Sequence, residues 1–309
     1  MKKFLLILVA VISALSFIGC GRFDAVVYEV ADVVSEYHYY TDSGRYALKN
    51  KEKFKKYPLR VHFIDVGQAD SAFLERPDGK TMLIDAGNPE NAEDVISFVE
   101  GLDYDCIDFV VATHPHADHI GAMAEVLKHF DIGSVFMPEK EHTSKTFEKM
   151  IDVIEKKEIP LYAARKGAVI TETEDYSAVI LSPAKNDYDD LNNFSAVVKL
   201  TYGETKYLFM GDAEKKIETE LKKLDIEADV LKLGHHGSNT SSGQEFLQMV
   251  SPEYTVIPCG EDNSYGHPHE EVVKRLKRLG YTYFRTDILG TISICADSNE
   301  NFTVIKEKN

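Results

Sequence analysis

Apolar side chains fall at every second position in Leu59-Arg60-Val61-His62-Phe63, just after Pro58, and this period of two predicts a strand over 59–65. Similar runs predict strands over 71–75, 81–85, 107–113, 133–137, 178–181, 196–202 and 206–210, then over 230–233, 254–258, 281–285 and 291–295. Apolar positions three and four apart predict helices over 91–101, 120–130, 144–157, 213–224, 244–250 and 270–279. Strand pairs come first and strand-helix alternation follows in each half. Two sheets packed face to face, with helices on their outer sides, satisfy that order. The acidic, turn-rich stretch 185–193 reads as a loop between strands.

The beginning of the chain has a different pattern. Lys2 and Lys3 precede an apolar run over 4–18 that ends in Gly19 and Cys20, the order of charge, core and small residue in a secretion signal. The run is too short for a membrane span, which takes about 20 residues. Phe17-Ile18-Gly19-Cys20 resembles a bacterial lipobox, which implies removal of residues 1–19 and lipidation of Cys20. Residues 20–57 are irregular, with a short apolar patch over 25–34, and read as a tether with at most one helical or strand segment. The folded domain is expected over 58–309, outside the cytoplasm and held at a membrane through Cys20.

The formal charge of −16 disfavours a stable complex with nucleic acid, because such binding rests on Lys and Arg that neutralise phosphates. The one basic cluster, Lys49, Lys51, Lys53, Lys55 and Lys56, reads as part of the solvated tether. Cys106, Cys259 and Cys295 lie in apolar strand-like contexts and are expected to be core residues, not ligands.

Candidate chemistry is concentrated at strand ends. His114-Pro115-His116-Ala117-Asp118-His119 packs four divalent-metal ligands into six positions directly after an apolar strand, in a chain with 11 histidines in all. Gly211-Asp212 closes another strand, where the glycine permits a sharp turn and the carboxylate can bridge two ions. Gly234-His235-His236-Gly237 follows a third. If the strand continued there, its adjacent histidines would face opposite ways, with His235 the expected ligand and His236 the acid-base group, an order open to reversal. Asp65 and Asp85 are expected to accept the second ring N–H of a ligand histidine. His267, before Pro268, is a candidate donor to a developing oxyanion.

Phe63-Ile-Asp-Val-Gly-Gln-Ala-Asp70, Leu83-Ile-Asp-Ala-Gly87, Thr113-His-Pro-His-Ala-Asp-His-Ile-Gly121, Asn192-Asn-Phe-Ser195, Gly211-Asp212, His235-His-Gly-Ser238, Tyr265-Gly-His-Pro268, Thr286 and Gly290-Thr-Ile292 occur in this order. The order resembles the metallo-β-lactamase superfamily, and more narrowly the hydrolase domain of ComEC-like competence proteins. The resemblance spans residues 59–305. It implies a four-layer αββα sandwich with its metals in a groove at one edge of the sheets. His114 and His116 would hold a first ion, Asp118 and His119 a second, with Asp212 between them and His235 completing the second site.

Wider superfamily members supply a further histidine to the first ion, from a region where this chain has none between His142 and His235. Water, substrate or Asn193 would have to fill that position. The expected cofactors are two divalent ions, zinc or else manganese, that activate a bridging hydroxide. Asp118 would orient the water, and His236 or His267 would protonate the leaving oxygen. The expected reaction is hydrolysis of an anionic phosphodiester, from DNA or from the cell envelope. A β-lactam or amide hydrolase and a metal-bound lipoprotein without activity are the competing readings.

Overall fold

A computed structural model describes residues 40–308, so the signal segment, Cys20 and His38 lie outside the described residues. Within them the compact unit begins at Asp42. Its first element, α1 (Asp42–Phe54), lies where a tether was expected. The helix is lysine-rich, yet Tyr46, Ala47 and Phe54 are buried in the core. It packs against α2 (Ala92–Gly101), where a Cβ on Gly101 would stand 2.7 Å from the Gly44 carbonyl oxygen. Only glycine allows that approach. Lys51 turns outward to Asp103 at 2.9 Å, so the basic cluster occupies the solvent side of the helix and the turn after it.

The first sheet begins with β1 (Leu59–Phe63), β2 (Ala72–Glu75), β3 (Thr81–Ile84), β4 (Cys106–Val111), β5 (Asp131–Met137) and β6 (Leu161–Ala163). The second holds β7 (Val169–Glu172), β8 (Tyr176–Ser182), β9 (Val197–Tyr202), β10 (Thr205–Phe209), β11 (Val230–Lys232), β12 (Tyr254–Ile257) and β13 (Thr282–Arg285). The chain then returns to the first sheet with β14 (Ile292–Ala296), paired to β1, and β15 (Phe302–Lys306) at the edge. Helices lie outside both sheets, and the expected αββα arrangement is borne out.

Three apolar layers follow from strand alternation. Along β1, Leu59, Val61 and Phe63 face the space between the sheets, where they meet Tyr207 and Phe209 of β10 and Ile292 and Ile294 of β14. The intervening Leu208 faces the other way, into a layer with Ala213, Ile217 and Phe246. The first sheet's outer face is covered by α1, α2, α4 (Met123–His129) and α5 (Lys145–Lys156). Burying each large apolar side chain in these layers contributes about 1.5–3 kcal/mol before the entropy of ordering is set against it.

Several expectations change here. The helix predicted over 120–130 is two pieces, α3 (Ala117–Ile120) and α4, so the histidine motif itself opens the first helix. β6, β7 and β15 have no counterpart in the predicted strands. Cys106 is exposed, unlike buried Cys259 and Cys295, because it is the first residue of β4 and lies beyond the covered part of the sheet. His62 is buried inside the first sheet's outer layer, with Nδ1 2.7 Å from Ser293 Oγ and Nε2 3.0 Å from Glu75 Oε1, a structural role. Among the described residues no helix is long and apolar enough to cross a membrane.

Candidate metal centre

Chain direction gathers the polar groups. The parallel strands β4, β10, β11 and β12 all end at one edge of the sandwich, and their following loops carry His114 to His119, Asp212, His235 and His236. After β10, Gly211 takes φ 52°, and a Cβ there would press on Ser195 and Thr113 at 3.0 and 3.1 Å. That turn aims Asp212 into the centre, where its backbone N–H is held by Ser195 Oγ at 3.0 Å.

Four side chains converge closely. One ligand atom from each of Asp118, His119, Asp212 and His236 lies within 4.8 Å of all the others. His119 Nε2 stands 3.2 Å from Asp212 Oδ1, and His236 Nε2 stands 3.3 Å from Asp118 Oδ2 and 3.7 Å from Asp212 Oδ2. His119 Nε2, Asp212 Oδ1 and His236 Nε2 are buried and make no hydrogen bond. Buried polar atoms are normally paired, so atoms facing one another unpaired describe a cavity built for something else. A tetrahedral ion with bonds near 2.0–2.1 Å holds its ligand atoms about 3.4 Å apart, which matches this group. The residues fit a divalent cation.

The groups behind them fix their orientation. Asp85, after β3, accepts the Thr113 N–H at 2.8 Å and the Thr113 hydroxyl at 2.6 Å, and its Oδ2 lies 2.7 Å from His119 Nδ1. This is the supporting role expected of Asp85. Asp65 instead accepts from Gly67 N and Lys308 Nζ, both at 3.3 Å, and belongs to a turn. Two residues escaped the sequence reading. Asp70 lies 3.3 Å from His236 Nδ1 and 3.7 Å from His119 Nδ1, and it is paired with the buried ammonium of Lys232. Lys232 also donates to Gly211 O at 3.0 Å, so a single side chain ties Asp70 to the Asp212 turn.

The charges of these groups depend on one another. Burial lowers the pKa of His236, but Asp212 and Asp70 overcome it and push the group up to about 10. Burial likewise opposes ionisation of Asp118, yet His119 and His236 hold it below the usual carboxylate range. The carboxylates draw positive charge onto the imidazoles. His114 behaves oppositely: burial, then neighbouring His119, holds it well below the ordinary histidine value and therefore neutral, as a ligand must be.

The other side of Asp212 gathers fewer ligand atoms. His114 Nε2 lies 3.0 Å from His116 Nδ1 and 4.0 Å from Asp212 Oδ2. His235 and His236 do not continue a strand: both are left-handed, with φ 50° and 51°, in the short turn Gly234–Gly237. Strand alternation therefore does not apply. The turn places His236, not His235, among the four converging side chains. His235 sits at the rim, with Nε2 3.7 Å from Asp212 Oδ2 and Nδ1 3.1 Å from Thr240 Oγ1. Asn193 is directed away, its amide donating to Glu214 Oε2 at 3.2 Å and accepting from Glu214 N at 3.4 Å.

A cavity of about 300 Å³ opens over these groups, lined among others by His116, Asp118, Asn192, Asp212, His235 and His267, and by no lysine or arginine. A larger cavity, about 690 Å³, lies between α5 and β6 and contains none of the converging residues. At the mouth, Gln68 Oε1 accepts the Gly260 N–H at 3.0 Å, which leaves its amide nitrogen facing His267 Nδ1 at 3.3 Å. His267 Nε2 then carries the hydrogen. Burial, with His236 and His235 nearby, lowers the His267 pKa to about 4, so the ring is neutral at pH 7. It can donate a hydrogen bond but holds no spare proton.

The profile of the Metallo-beta-lactamase superfamily matches residues 64–261. The chain belongs to this superfamily. It is 32% identical over 251 residues to ComE operon protein 3 of Bacillus subtilis (strain 168), covering 75% of the chain and 32% of that protein. It is 40% identical over 115 residues to competence protein ComA of Neisseria gonorrhoeae, covering 36% of the chain and 17% of that protein. The chain thus spans about a third or less of these relatives' length. Among solved structures, CmlA, a diiron beta-hydroxylase from Streptomyces venezuelae, superimposes with a TM-score of 0.53 at 15% identity, over 77% of this chain and 54% of that one. That likeness concerns the fold alone. Asp118, His119, Asp212 and His236, the four converging side chains, all fall within the matched residues.

Proposed function

We propose that the chain hydrolyses phosphodiesters or phosphate esters outside the cytoplasm, with two divalent cations on either side of Asp212. The observation that carries this reading is the shared carboxylate. Asp212 Oδ1 faces His119 at 3.2 Å while Oδ2 faces His114 at 4.0 Å and His236 at 3.7 Å. Asp118, His119, Asp212 and His236 would hold one cation, and His114, His116 and Asp212 the other, with His235 and His236 exchanging the roles expected from sequence. Two such cations supply positive charge for phosphoryl oxygens and lower the pKa of a nearby water. Imidazole and carboxylate suit zinc, whereas the sparser half suits a harder ion such as manganese.

The chain's own groups do the remaining work. Asp118, ionised and partly open to the cavity, accepts a hydrogen bond from the attacking water and orients it. His267 donates its Nε2 hydrogen to a phosphoryl oxygen at the mouth. His235 lies at the rim, next to Glu214 at 3.7 Å, where a leaving oxygen collects a proton. The cavity lining lacks lysine and arginine, so it suits a short phosphodiester segment better than a long polyanion gripped along its length.

The test uses the full chain with Zn²⁺ or Mn²⁺, assayed on bis-p-nitrophenyl phosphate, single-stranded DNA, a phosphocholine ester and a chromogenic β-lactam. Turnover of a phosphodiester that EDTA abolishes is the expected result. Turnover of the β-lactam alone, or of nothing in metal-replete protein, would overturn the reading. The order of charge and apolar residues over 1–19, followed by Cys20, supports attachment to a membrane by lipid. Labelled palmitate should enter the chain and fail to enter Cys20→Ser, and equal labelling of both would reject the anchor.

A further inference from the structure

Resting on the two-cation reading above, we propose that Asn192 Oδ1 is a ligand of the His114 and His116 half, standing in for the histidine this chain lacks. The short turn Leu191–Phe194 presents it. Asn192 N donates to Asp190 Oδ1 at 2.9 Å, and Asn192 O accepts from Ser195 N at 3.0 Å, so both backbone groups are engaged. Phe194 anchors the turn in the core. Ser195, next in line, accepts from Asp212 N at 3.0 Å and lies 3.4 Å from His114 Nδ1. The turn is thereby fastened to a ligand on each side.

Against that fixed background one atom stands out. Asn192 is 7% exposed, lines the cavity with His116, Asp118 and Asp212, and its Oδ1 is buried with no hydrogen-bond partner. The orphaned atoms of His119, Asp212 and His236 have the same character and converge in the cluster already described. Asn193, the neighbour expected to fill the position, has its amide satisfied by Glu214. A neutral amide oxygen binds a cation less tightly than an imidazole or carboxylate and favours harder ions. The His114 half therefore loads second and prefers Mn²⁺ over Zn²⁺ more than the His236 half does.

The experiment is equilibrium dialysis against Mn²⁺ and Zn²⁺, with metal content per chain and titration calorimetry, on wild type, Asn192→Ala and Asn192→Asp, each checked for fold by circular dichroism. Wild type should bind two ions with unequal affinity. Asn192→Ala should keep the tighter ion and weaken the second by about tenfold or more, while Asn192→Asp should tighten the second by about tenfold. Unchanged second-ion affinity in Asn192→Ala would overturn the proposal, as would a raised KM with unchanged metal affinity, which would assign the oxygen to substrate. Should Asn192→Ala not fold, an unaltered second-ion affinity in Asn192→Asp would overturn it equally. Wild type that binds fewer than two ions would remove the two-cation reading itself.

Discussion

On the His236 side of Asp212, the ligand atoms of His119, Asp212 and His236 are all buried, and Asp85, Asp70 and Lys232 brace the imidazoles from behind. On the other side, His116 lines the cavity, buried His114 lies 3.0 Å from it with few further protein ligands, and His235 stands at the rim. The difference separates two tasks. A closed half holds its ion through protein groups alone, whereas an open half leaves coordination positions for water and substrate oxygens. Tight holding and substrate access conflict at a single ion, and under the proposed two-cation reading a shared Asp212 would allow them to be divided.

The largest expected effect comes from removing the group common to both halves. Asp212→Ala should lower phosphodiester turnover by more than about 100-fold, the upper end found for groups one shell further out, and should reduce metal content in both halves. Full turnover in that variant would dissolve the comparison. Next is the brace of the closed half: Lys232→Met leaves Asp70 buried without its cation and should cost about 3–5 kcal/mol in urea denaturation. A loss under about 1 kcal/mol would show that Asp70 takes a proton or finds another partner.

A smaller effect is expected at the mouth. His267 is already neutral above a pKa of about 4, so His267→Gln should reduce turnover less than about tenfold and leave the pH profile between 5 and 8 unshifted. A lost titration step in that range would mean that His267 carries a catalytic proton. The smallest concerns Glu218 on α6 (Lys215–Leu221), which accepts from Ser242 N and Gly243 N beyond the His235 turn. Burial pushes its pKa up to about 7. The folded state thus binds the proton more tightly than the unfolded chain. Its contribution to stability is present in acid and is lost as pH rises from the unfolded value to about 7. Glu218→Gln should flatten that part of the melting profile by a few degrees, and an unchanged slope would contradict it.

The legible part of this molecule was the local part. His114 to His119 fall within one strand exit, and the alternation in β1 and β10 shows in consecutive residues, so both needed no tertiary knowledge. Asp70 and Lys232 are 162 positions apart, and nothing in either neighbourhood announces the other. The choice between His235 and His236 was decided by a left-handed turn, where strand periodicity gives no guidance. α1 was hidden because its lysines dilute three buried apolar residues, and β6 was hidden because three residues are too few to show a period.

Anomalous diffraction from crystals grown with Mn²⁺ and with Zn²⁺ tests the division most directly. Two peaks flanking Asp212 are predicted, the one among Asp118, His119 and His236 filled at lower metal concentration than the one beside His114 and His116. A single peak, or two that fill together, would contradict a closed and an open half.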